Sequence, residues 1–300
     1  MAKRYRDIVG DGGSDVDGQL EQLRHRLSSR LASIRHVVAV MSGKGGVGKS
    51  TLTTNLAAGL AMKGHAVGVA DADIYGPSLA RMLGVAERRP KPGRDGVAPP
   101  RTVLDIKVMS MALFLEDAQA PVVFRGPSRE AFTWKGMLEM HALREFLADT
   151  DWGELDYLLI DLPPGTNQFA TLHDLIRPAG SLVVSLPNRL SREVVGRSLV
   201  LARQVLKAPM LGVVENMAGY FCNGCLSRQP LFDRQAEADY DGLPILGRIP
   251  FDPRFVDACD AGRPYLLDYA DAPPGQDLMG LCDRLCDRLA TVASAKEPCL

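Results

Sequence analysis

Short apolar runs alternate with helix-like segments along most of this chain. From residue 36 onward, seven runs have the length and continuous apolar character of buried strands: 36–41, 67–71, 103–109, 157–161, 181–186, 210–215 and 245–249. Helical patterns lie between most of them. This alternation predicts an α/β fold with a mainly parallel sheet flanked by helices on both faces. Ligands bind outside the carboxyl ends of strands in such sheets, so functional residues are expected there.

The N-terminal part of the chain has a different pattern. Residues 1–18 are polar and rich in Gly and Asp, which is typical of weakly ordered chain. The apolar positions that follow recur at helical spacing and predict an amphipathic helix: Leu20, Leu23, Leu27, Leu31 and Ile34. Packing of this helix on the main domain is favoured over docking of a partner. We expect an N-terminal extension over residues 1–35, one domain over 36–292 and a tail over 293–300.

The first strand leads into a phosphate-binding loop. The segment from Gly43 to Ser50 reads G-K-G-G-V-G-K-S and lies between an apolar strand and a helical run, as the G-x-x-x-x-G-K-S motif requires. Lys49 is expected to reach the β- and γ-phosphates, and the Ser50 hydroxyl to bind Mg²⁺. Lys44 is a second lysine that an ordinary phosphate loop does not need. The predicted nucleotide-binding residues here are Gly43, Lys44, Gly45, Gly46, Val47, Gly48, Lys49, Ser50 and Thr51.

Two further strand ends carry carboxylates. The second strand ends in Asp71-Ala72-Asp73, where Asp73 is the candidate for activating the attacking water and Asp71 for supporting the turn. A helix cap is the alternative for a single aspartate at such a place. The fourth strand ends at Asp161, which is the Walker B arrangement, in which the carboxylate holds Mg²⁺ through water. Gly165, after two prolines, lets the backbone approach a γ-phosphate.

Asn216 follows the sixth strand. A side-chain amide at a strand end can read the edge of adenine, because it offers both a donor and an acceptor. A turn-forming asparagine explains the same position equally well. Both interpretations stay open at the level of sequence.

Cys222 and Cys225 form a C-x-x-C pair shortly after that strand. Two thiols at this spacing can hold one metal ion or one face of a cluster, or form a redox dithiol. Zinc and iron–sulfur clusters usually take four ligands, so a two-fold dimer would complete the set by duplicating the pair. A cluster is favoured over zinc and over a redox dithiol. Cys282 and Cys286 lie on an apolar helical stripe and are interpreted as core thiols.

Composition narrows the possible classes of protein. The formal net charge of −1 gives no general electrostatic reason to bind nucleic acid or an anionic membrane. No apolar run reaches the length of a membrane span, and the N-terminus lacks an apolar signal segment, so a soluble protein is predicted. Six cysteines in 300 residues do not form a disulfide framework, which favours reduced thiols and the cytoplasm.

Together these motifs resemble the Mrp/ApbC iron–sulfur carrier ATPases, within the MinD/ParA class of deviant phosphate-loop proteins. The loop alone identifies only the wider class. The narrower family is indicated by three features: the string Asp73-Ile74-Tyr75-Gly76-Pro77, the string Arg125-Gly126-Pro127, and a C-x-x-C pair after Asn216-Met217. Relatives commonly have a proline inside that pair, where this chain has Asn223.

The resemblance implies an ATP-binding and ATP-hydrolysing homodimer. In such a carrier, Cys222 and Cys225 of both chains share a 4Fe-4S cluster, which is passed to apo iron–sulfur proteins, with a cluster-assembly scaffold as a further partner. Lys44 of one subunit would reach the phosphates bound by the other. Hydrolysis, with Lys44, Lys49, Asp73 and Asp161 as catalytic residues, would then be slow and coupled to dimerisation.

The alternative is a MinD- or ParA-type ATP-gated organiser on membrane or DNA. Such proteins need a basic surface or an amphipathic membrane-binding helix at the C-terminus. The C-terminal helix here carries neighbouring charges of both signs, as at Asp283 and Arg284, and the tail is not membrane-seeking. A nitrogenase-like reductase is disfavoured because those proteins place their cluster cysteines singly and far apart. Neither nucleic acid nor membrane is therefore expected as a partner.

Overall fold

The structure is a computed structural model that describes residues 16–74, 76–115, 143–165, 176–200, 202, 209–232 and 240–294. Tyr75, Thr166 and the Arg125-Gly126-Pro127 string lie outside the described residues. The strands are β1 (Ile34–Ser42), β2 (Val67–Asp71), β3 (Lys91–Pro92), β4 (Val97–Ala98), β5 (Lys107–Met109), β6 (Leu155–Asp161), β7 (Gly180–Ser185), β8 (Met210–Phe221), β9 (Arg228–Gln229) and β10 (Ile245–Phe251). The helices are α1 (Val16–Ala32), α2 (Lys49–Met62), α3 (Leu79–Met82), α4 (Arg189–Val200), α5 (Arg254–Asp260), α6 (Leu266–Tyr269) and α7 (Pro273–Ser294). A 3₁₀ turn covers Met111–Phe114, and residues 143–149 are also helical.

A central sheet organises the molecule. Its strand order is β10-β8-β7-β1-β6-β2-β5, and every neighbouring pair along this path is parallel. β9 adds an antiparallel edge to the end of β8, and β3 and β4 form a separate antiparallel ribbon. The predicted α/β fold with a mainly parallel sheet is confirmed. Every residue of β2 and β7 is buried, as expected for parallel strands that are covered on both faces.

All seven predicted strands are present, and two of them differ from the prediction by four residues or more. The run 103–109 forms a strand only from Lys107, because the Thr102 hydroxyl accepts hydrogen bonds from the backbone N–H groups of Leu104 and Ile106. Asp105 there adopts a φ of 60°, which a strand does not allow. At the other end of the sheet, β8 continues to Phe221, six residues beyond the prediction of 210–215, because its end pairs with β9.

The helices close the core on both sides of the sheet. α2 is buried along nearly its whole length and packs under α7, where Cys282 is fully buried. Cys282 is therefore a core thiol, as predicted. Cys286 is partly buried and packs against the core, where Tyr157 donates a hydrogen bond to its sulfur over 3.2 Å. Within the described ranges, none of the helices combines the length and apolar character that a membrane crossing requires.

The predicted N-terminal helix is α1, and it packs on the main domain. It ends at Ala32, so Ile34, which was predicted as its last apolar position, is instead the first residue of β1. Leu27 is buried in the core, and Arg30 donates to the carbonyl of Ala148 over 3.3 Å. The Ser33 hydroxyl, directly after α1, donates to the carbonyl of Gly153 over 2.9 Å. The side chains of Leu20 and Leu23 and residues 1–15 lie outside the described part of the chain.

Candidate functional site

The carboxyl ends of three neighbouring strands, β1, β6 and β2, meet at one edge of the sheet. In the pairing register, Asp161 of β6 lies between Val40 of β1 and Asp71 of β2. β1 continues directly into the glycine-rich loop, and α2 begins at Lys49. The fold therefore brings the predicted loop and both predicted strand-end carboxylates to the same place.

The loop owes its shape to residues without a Cβ. Gly46 and Gly48 adopt φ values of 76° and 78°, in the region that favours glycine. A Cβ on Gly48 would lie 2.2 Å from the Asn216 Nδ2, and one on Gly43 would lie 2.6 Å from a methyl group of Val194. A Cβ on Gly45 would lie 4.0 Å from the ring of Pro164, which is an ordinary van der Waals distance. This backbone, followed by a helix N-terminus, is suited to enclosing a polyphosphate.

Asp161 is the centre of the loop's polar contacts. Its carboxylate is buried and lies 2.6 Å from the Lys49 Nζ. It also accepts hydrogen bonds from the Ser50 hydroxyl over 2.6 Å and from the Thr53 hydroxyl over 2.7 Å. Lys49, Ser50 and Asp161 are thus brought together. Thr53 was missed, although its position one helical turn after Ser50 places it on the same face of α2.

The Ser50 hydroxyl and the Asp161 carboxylate are hard oxygen donors, which suit Mg²⁺. Among the described residues, no group of three or more His, Cys, Asp or Glu side chains is placed to hold a metal ion. A Mg²⁺ ion at this edge would therefore take most of its ligands from phosphate and water, as it commonly does. The donor set fits that ion.

Asp71 organises the turn after β2. It is buried and accepts hydrogen bonds from the backbone N–H groups of Asp73, Ser78 and Leu79 and from the Ser110 hydroxyl. Burial, followed by the nearby charge of Asp161, raises the pKa of Asp71 to about 7. Ser110, at the end of β5, has no sequence signal that points to this contact.

Asp73 lies in the same turn and is partly exposed. Its carboxylate accepts a hydrogen bond from the backbone N–H of Gly76 over 3.1 Å. This contact closes a turn and does not cap a helix, because α3 begins only at Leu79. The backbone N–H of Leu79 donates to Asp71, so the capping alternative applies to Asp71. The activation of water by Asp73 stays a prediction.

The turn after β6 lies beside the start of the phosphate loop. The Gly165 N–H donates to the carbonyl of Ser42 over 3.0 Å, and Gly165 has a φ of 99°. The Ser42 hydroxyl donates to the carbonyl of Lys44 over 3.0 Å, which fixes the backbone that carries the second lysine. Gly165 and Lys44 therefore flank the first residues of the loop.

A cavity of about 250 Å³ opens beside the loop and the start of α2. One side is formed by Gly48, Thr51 and Asn216, whose Nδ2 donates to the carbonyl of Val47 over 2.8 Å. The other side is mainly apolar and comes from the end of β10 and from α5, including Pro250, Phe251, Phe255, Val256 and Cys259. An apolar cavity with a few polar groups suits a flat base. Sequence reasoning missed the α5 wall, although the end of the last strand was a place to look for it.

The two candidate cysteines lie on a hairpin at the end of β8. Tyr220 and Phe221 pair with Gln229 and Arg228 of β9, and the Cys222 N–H donates to the carbonyl of Ser227 over 3.0 Å. Both thiols are free; Cys225 is exposed and Cys222 is partly buried. The Cys225 sulfur lies 2.9 Å from the Ser227 hydroxyl, whose hydrogen bond holds the pKa of the Cys225 thiol below its usual value. Leu226 within this hairpin, and Leu231 and Phe232 shortly after β9, are exposed apolar side chains.

A family model described as the ParA group's NUBPL iron-transfer P-loop NTPases matches residues 33–286, which is most of the chain. This chain belongs to the NUBPL iron-transfer P-loop NTPase family. The predicted resemblance to the carrier ATPases is thereby confirmed. As a member of this family, the protein is a P-loop NTPase whose loop is the segment described above.

Curated relatives of this family member share most of their length with it. The iron-sulfur cluster carrier protein of Methanocaldococcus jannaschii is 37% identical over 280 residues, which cover 92% of this chain and 92% of the relative. The human cytosolic Fe-S cluster assembly factor NUBP2 is 37% identical over 268 residues, covering 86% of this chain and 94% of that protein.

Solved structures of similar proteins have the same fold. The nucleotide-binding protein from Archaeoglobus fulgidus in complex with ADP superposes with a TM-score of 0.67 at 36% identity, covering 82% of this chain and 94% of that one. The MinD cell division protein of Aquifex aeolicus superposes with a TM-score of 0.59 at 24% identity, covering 84% of this chain and 97% of that one. The second likeness concerns the fold alone.

Proposed function

We propose that this family member binds and hydrolyses ATP and carries a 4Fe-4S cluster, which two copies hold between their Cys222–Cys225 pairs and pass to apo iron–sulfur proteins. The observation that carries the proposal is the shared strand β8. Asn216, beside the phosphate loop, lies in this strand, and the cysteine hairpin extends from the end of the same strand. The names of the carrier and assembly-factor relatives support the same function.

Nucleotide binding follows from the geometry of the loop. The phosphates would lie over the glycines and the N-terminus of α2, where Lys49 would exchange its contact with Asp161 for the β- and γ-phosphates. Ser50 and Asp161 would hold Mg²⁺, the second through water, and Mg²⁺ would neutralise charge on the phosphates. The base would enter the 250 Å³ cavity next to Asn216.

Hydrolysis would need a water molecule and a second positive charge. Asp73 would orient the attacking water, and Gly165 would bring backbone close to the γ-phosphate. Lys44 of a second copy would stabilise the charge that develops on the phosphates. Hydrolysis would then be slow in the monomer and depend on dimerisation. These activities are assigned to residues 36–292.

Cargo binding also requires a second copy. One hairpin offers two thiolates, and in the described part of the chain no third ligand of the His, Cys, Asp or Glu type joins them. A homodimer supplies four thiolates, which is the usual number for a 4Fe-4S cluster. The exposed Leu226, Leu231 and Phe232 would be covered in part by the second hairpin. A cytoplasmic location is in keeping with the human relative, which is named a cytosolic factor.

Anaerobic reconstitution tests the cargo. We expect the wild-type chain to take up iron and sulfide as one cluster per dimer, measured by chemical analysis and size-exclusion chromatography. The double variant Cys222→Ser/Cys225→Ser should bind none, and Cys286→Ser, which keeps a hydrogen-bond acceptor for Tyr157, should bind as wild type. If the double variant binds as much cluster as wild type, the cargo site is elsewhere.

The role of Lys44 is tested by comparison with Lys49. Lys44→Ala should keep MgADP affinity and lose about 100-fold in kcat for ATP, since it removes a group that acts on the transition state. Lys49→Ala should lose nucleotide binding as well, because it removes the contact with the phosphates. Calorimetry and phosphate release measure the two quantities. Normal hydrolysis by Lys44→Ala would contradict the contribution from a second subunit.

A further inference from the structure

Asn223, one of the two residues between the cysteines, is hydrogen-bonded to Asp252, which joins the two elements that form the apolar side of the cavity, β10 and α5. The Asn223 Nδ2 donates to the Asp252 Oδ1 over 3.2 Å. Asp252 comes directly after β10 and is fully buried. The bond requires the side-chain amide of Asn223, because an apolar side chain at this position has no donor.

Asp252 is also the anchor of α5. Its carboxylate accepts from the Arg254 backbone N–H over 3.0 Å, from the Arg254 Nη2 over 2.6 Å and from the Tyr265 hydroxyl over 2.8 Å. The Arg254 guanidinium lies 4.3 Å from the ring centroid of Tyr269. Burial by itself raises the pKa of Asp252, but the hydrogen bonds from Arg254 and Tyr265 hold that pKa below its usual value. The ionised carboxylate thus fixes the first turn of α5.

α5 in turn forms one wall of the cavity. Phe255, Val256, Cys259 and Asp260 line it, and the Phe255 ring stacks on Tyr265 with centroids 4.0 Å apart. A base that enters the cavity touches this wall directly. Tyr265 therefore contacts both the wall residue Phe255 and the carboxylate that holds Asn223.

We propose that Asn223 is a positioning residue that links occupancy of the nucleotide cavity to the cysteine hairpin through Asp252 and α5. The inference rests on the proposed function, which places the base in this cavity and the cargo on these thiols. A base that orders α5 also orders the Asp252 carboxylate. That carboxylate in turn restrains the backbone between Cys222 and Cys225.

The strand that joins the two sites is a less direct connection. β8 carries both Asn216 and the base of the hairpin, but its register with β10 shifts between Asn216 and Tyr220. Met217, within this bulge, has a φ of 54°. A bulge bends a strand and interrupts its ladder, so a shift at Asn216 is not passed straight along it. The route through Asn223 and Asp252 bypasses the bulge.

Thiol reactivity in the full chain tests this link without any cluster present. The reduced protein is treated with iodoacetamide with and without saturating MgADP, and the rate at Cys225 is measured by mass spectrometry of its peptide. We expect MgADP to change this rate by about fivefold in wild type, the lower end of common coupling between sites. Asn223→Ala should bind MgADP with wild-type affinity and lose the response.

Arg228→Ala is the matched control, because it loosens the same hairpin at another point. Arg228 binds Asp277 of α7 over 2.9 Å and has no part in the contact with Asp252. This variant should keep the MgADP response. Loss of the response in Arg228→Ala as well as in Asn223→Ala would overturn the specific route.

The remaining outcomes separate the two proposals. If wild type binds MgADP with no change in the Cys225 rate, or if Asn223→Ala keeps the response, the link is overturned and the proposed function stands. If wild type does not bind MgADP at all, the proposed function fails and the link fails with it.

Discussion

At the scale of single residues, Asp71 and Asp161 are neighbouring carboxylates whose different surroundings suit them to different roles. Asp161 faces the Lys49 ammonium and two hydroxyls, so its charge is balanced and its oxygens suit a metal shell. Asp71, its neighbour in the sheet register, faces neutral donors, and burial raises its pKa to about 7. Asp71 consequently stabilises the turn after β2 by accepting its backbone hydrogen bonds. The same residue type at adjacent strand ends therefore does different work.

A residue-scale prediction concerns the acidity of Cys225. Ser227→Ala removes the hydroxyl whose hydrogen bond lowers the pKa of this thiol, so that pKa should rise. Below the pKa the thiolate fraction then falls, and alkylation of Cys225 slows at neutral pH. At a pH well above the pKa, the rate should match wild type.

The measurement is the rate of alkylation of Cys225 across pH. Ser227→Thr is the control, since it keeps a hydroxyl at the same position. An unchanged pH profile in Ser227→Ala would contradict the role of the Ser227 hydroxyl in the acidity of the Cys225 thiol.

At the scale of elements, the join between loop and helix depends on Gly48. This residue has a left-handed φ, and it packs so close to Asn216 that a Cβ has no room. Asn216 in turn donates to the Val47 carbonyl and so holds β8 against the loop. The phosphate loop, α2 and β8 therefore pack together at Gly48.

Gly48→Ala should therefore weaken MgADP binding by more than about tenfold, since strain and the clash with Asn216 both distort the loop.

Gly64→Ala is the matched control. Gly64 also has a positive φ, 89°, after α2, but a Cβ there meets nothing within 4 Å. It should cost about 1 kcal/mol of stability and leave MgADP affinity unchanged. Calorimetry and urea unfolding measure the two effects, and equal losses of affinity would contradict the proposed packing role.

At the scale of the whole molecule, the sheet order determines where the sites can lie. β1 is central, between β7 and β6, so the loop that follows it is surrounded by other strand ends. The cysteine hairpin extends from β8, beyond β7. α1 covers the side of the domain near Ala148 and Gly153 and contributes Leu27 to the core. The N-terminal helix thus stabilises the domain.

Leu27→Ala should consequently lower the free energy of unfolding by about 3 kcal/mol, because it leaves a cavity in the core. MgADP affinity of the folded variant should match wild type, since α1 is not part of the site. Ser29→Ala, at an exposed position of the same helix, should change stability by less than about 0.5 kcal/mol. Thermal and urea unfolding test both, and a stable Leu27→Ala would show that α1 contributes little to the core.

The sequence by itself determined the seven main strands, the α/β fold, the phosphate loop and the cysteine pair. These are local signals: continuous apolar runs, a glycine-rich spacing and a C-x-x-C pair each lie within a few residues. The sequence also indicated Asp161, because the hydrophobic run before it is a strand that ends at the same edge as the loop.

Only the tertiary structure decided which distant groups complete the sites. Thr53 reaches Asp161 across 108 residues of chain, and Asn223 reaches Asp252 across 29. The α5 wall of the cavity and the Ser110 contact with Asp71 likewise depend on how strands are ordered in the sheet. Such contacts have no fixed spacing along the chain, since they arise from packing between elements. The sequence therefore identified most of the residues that carry the chemistry, while the contacts between these residues and distant parts of the chain were decided by the fold.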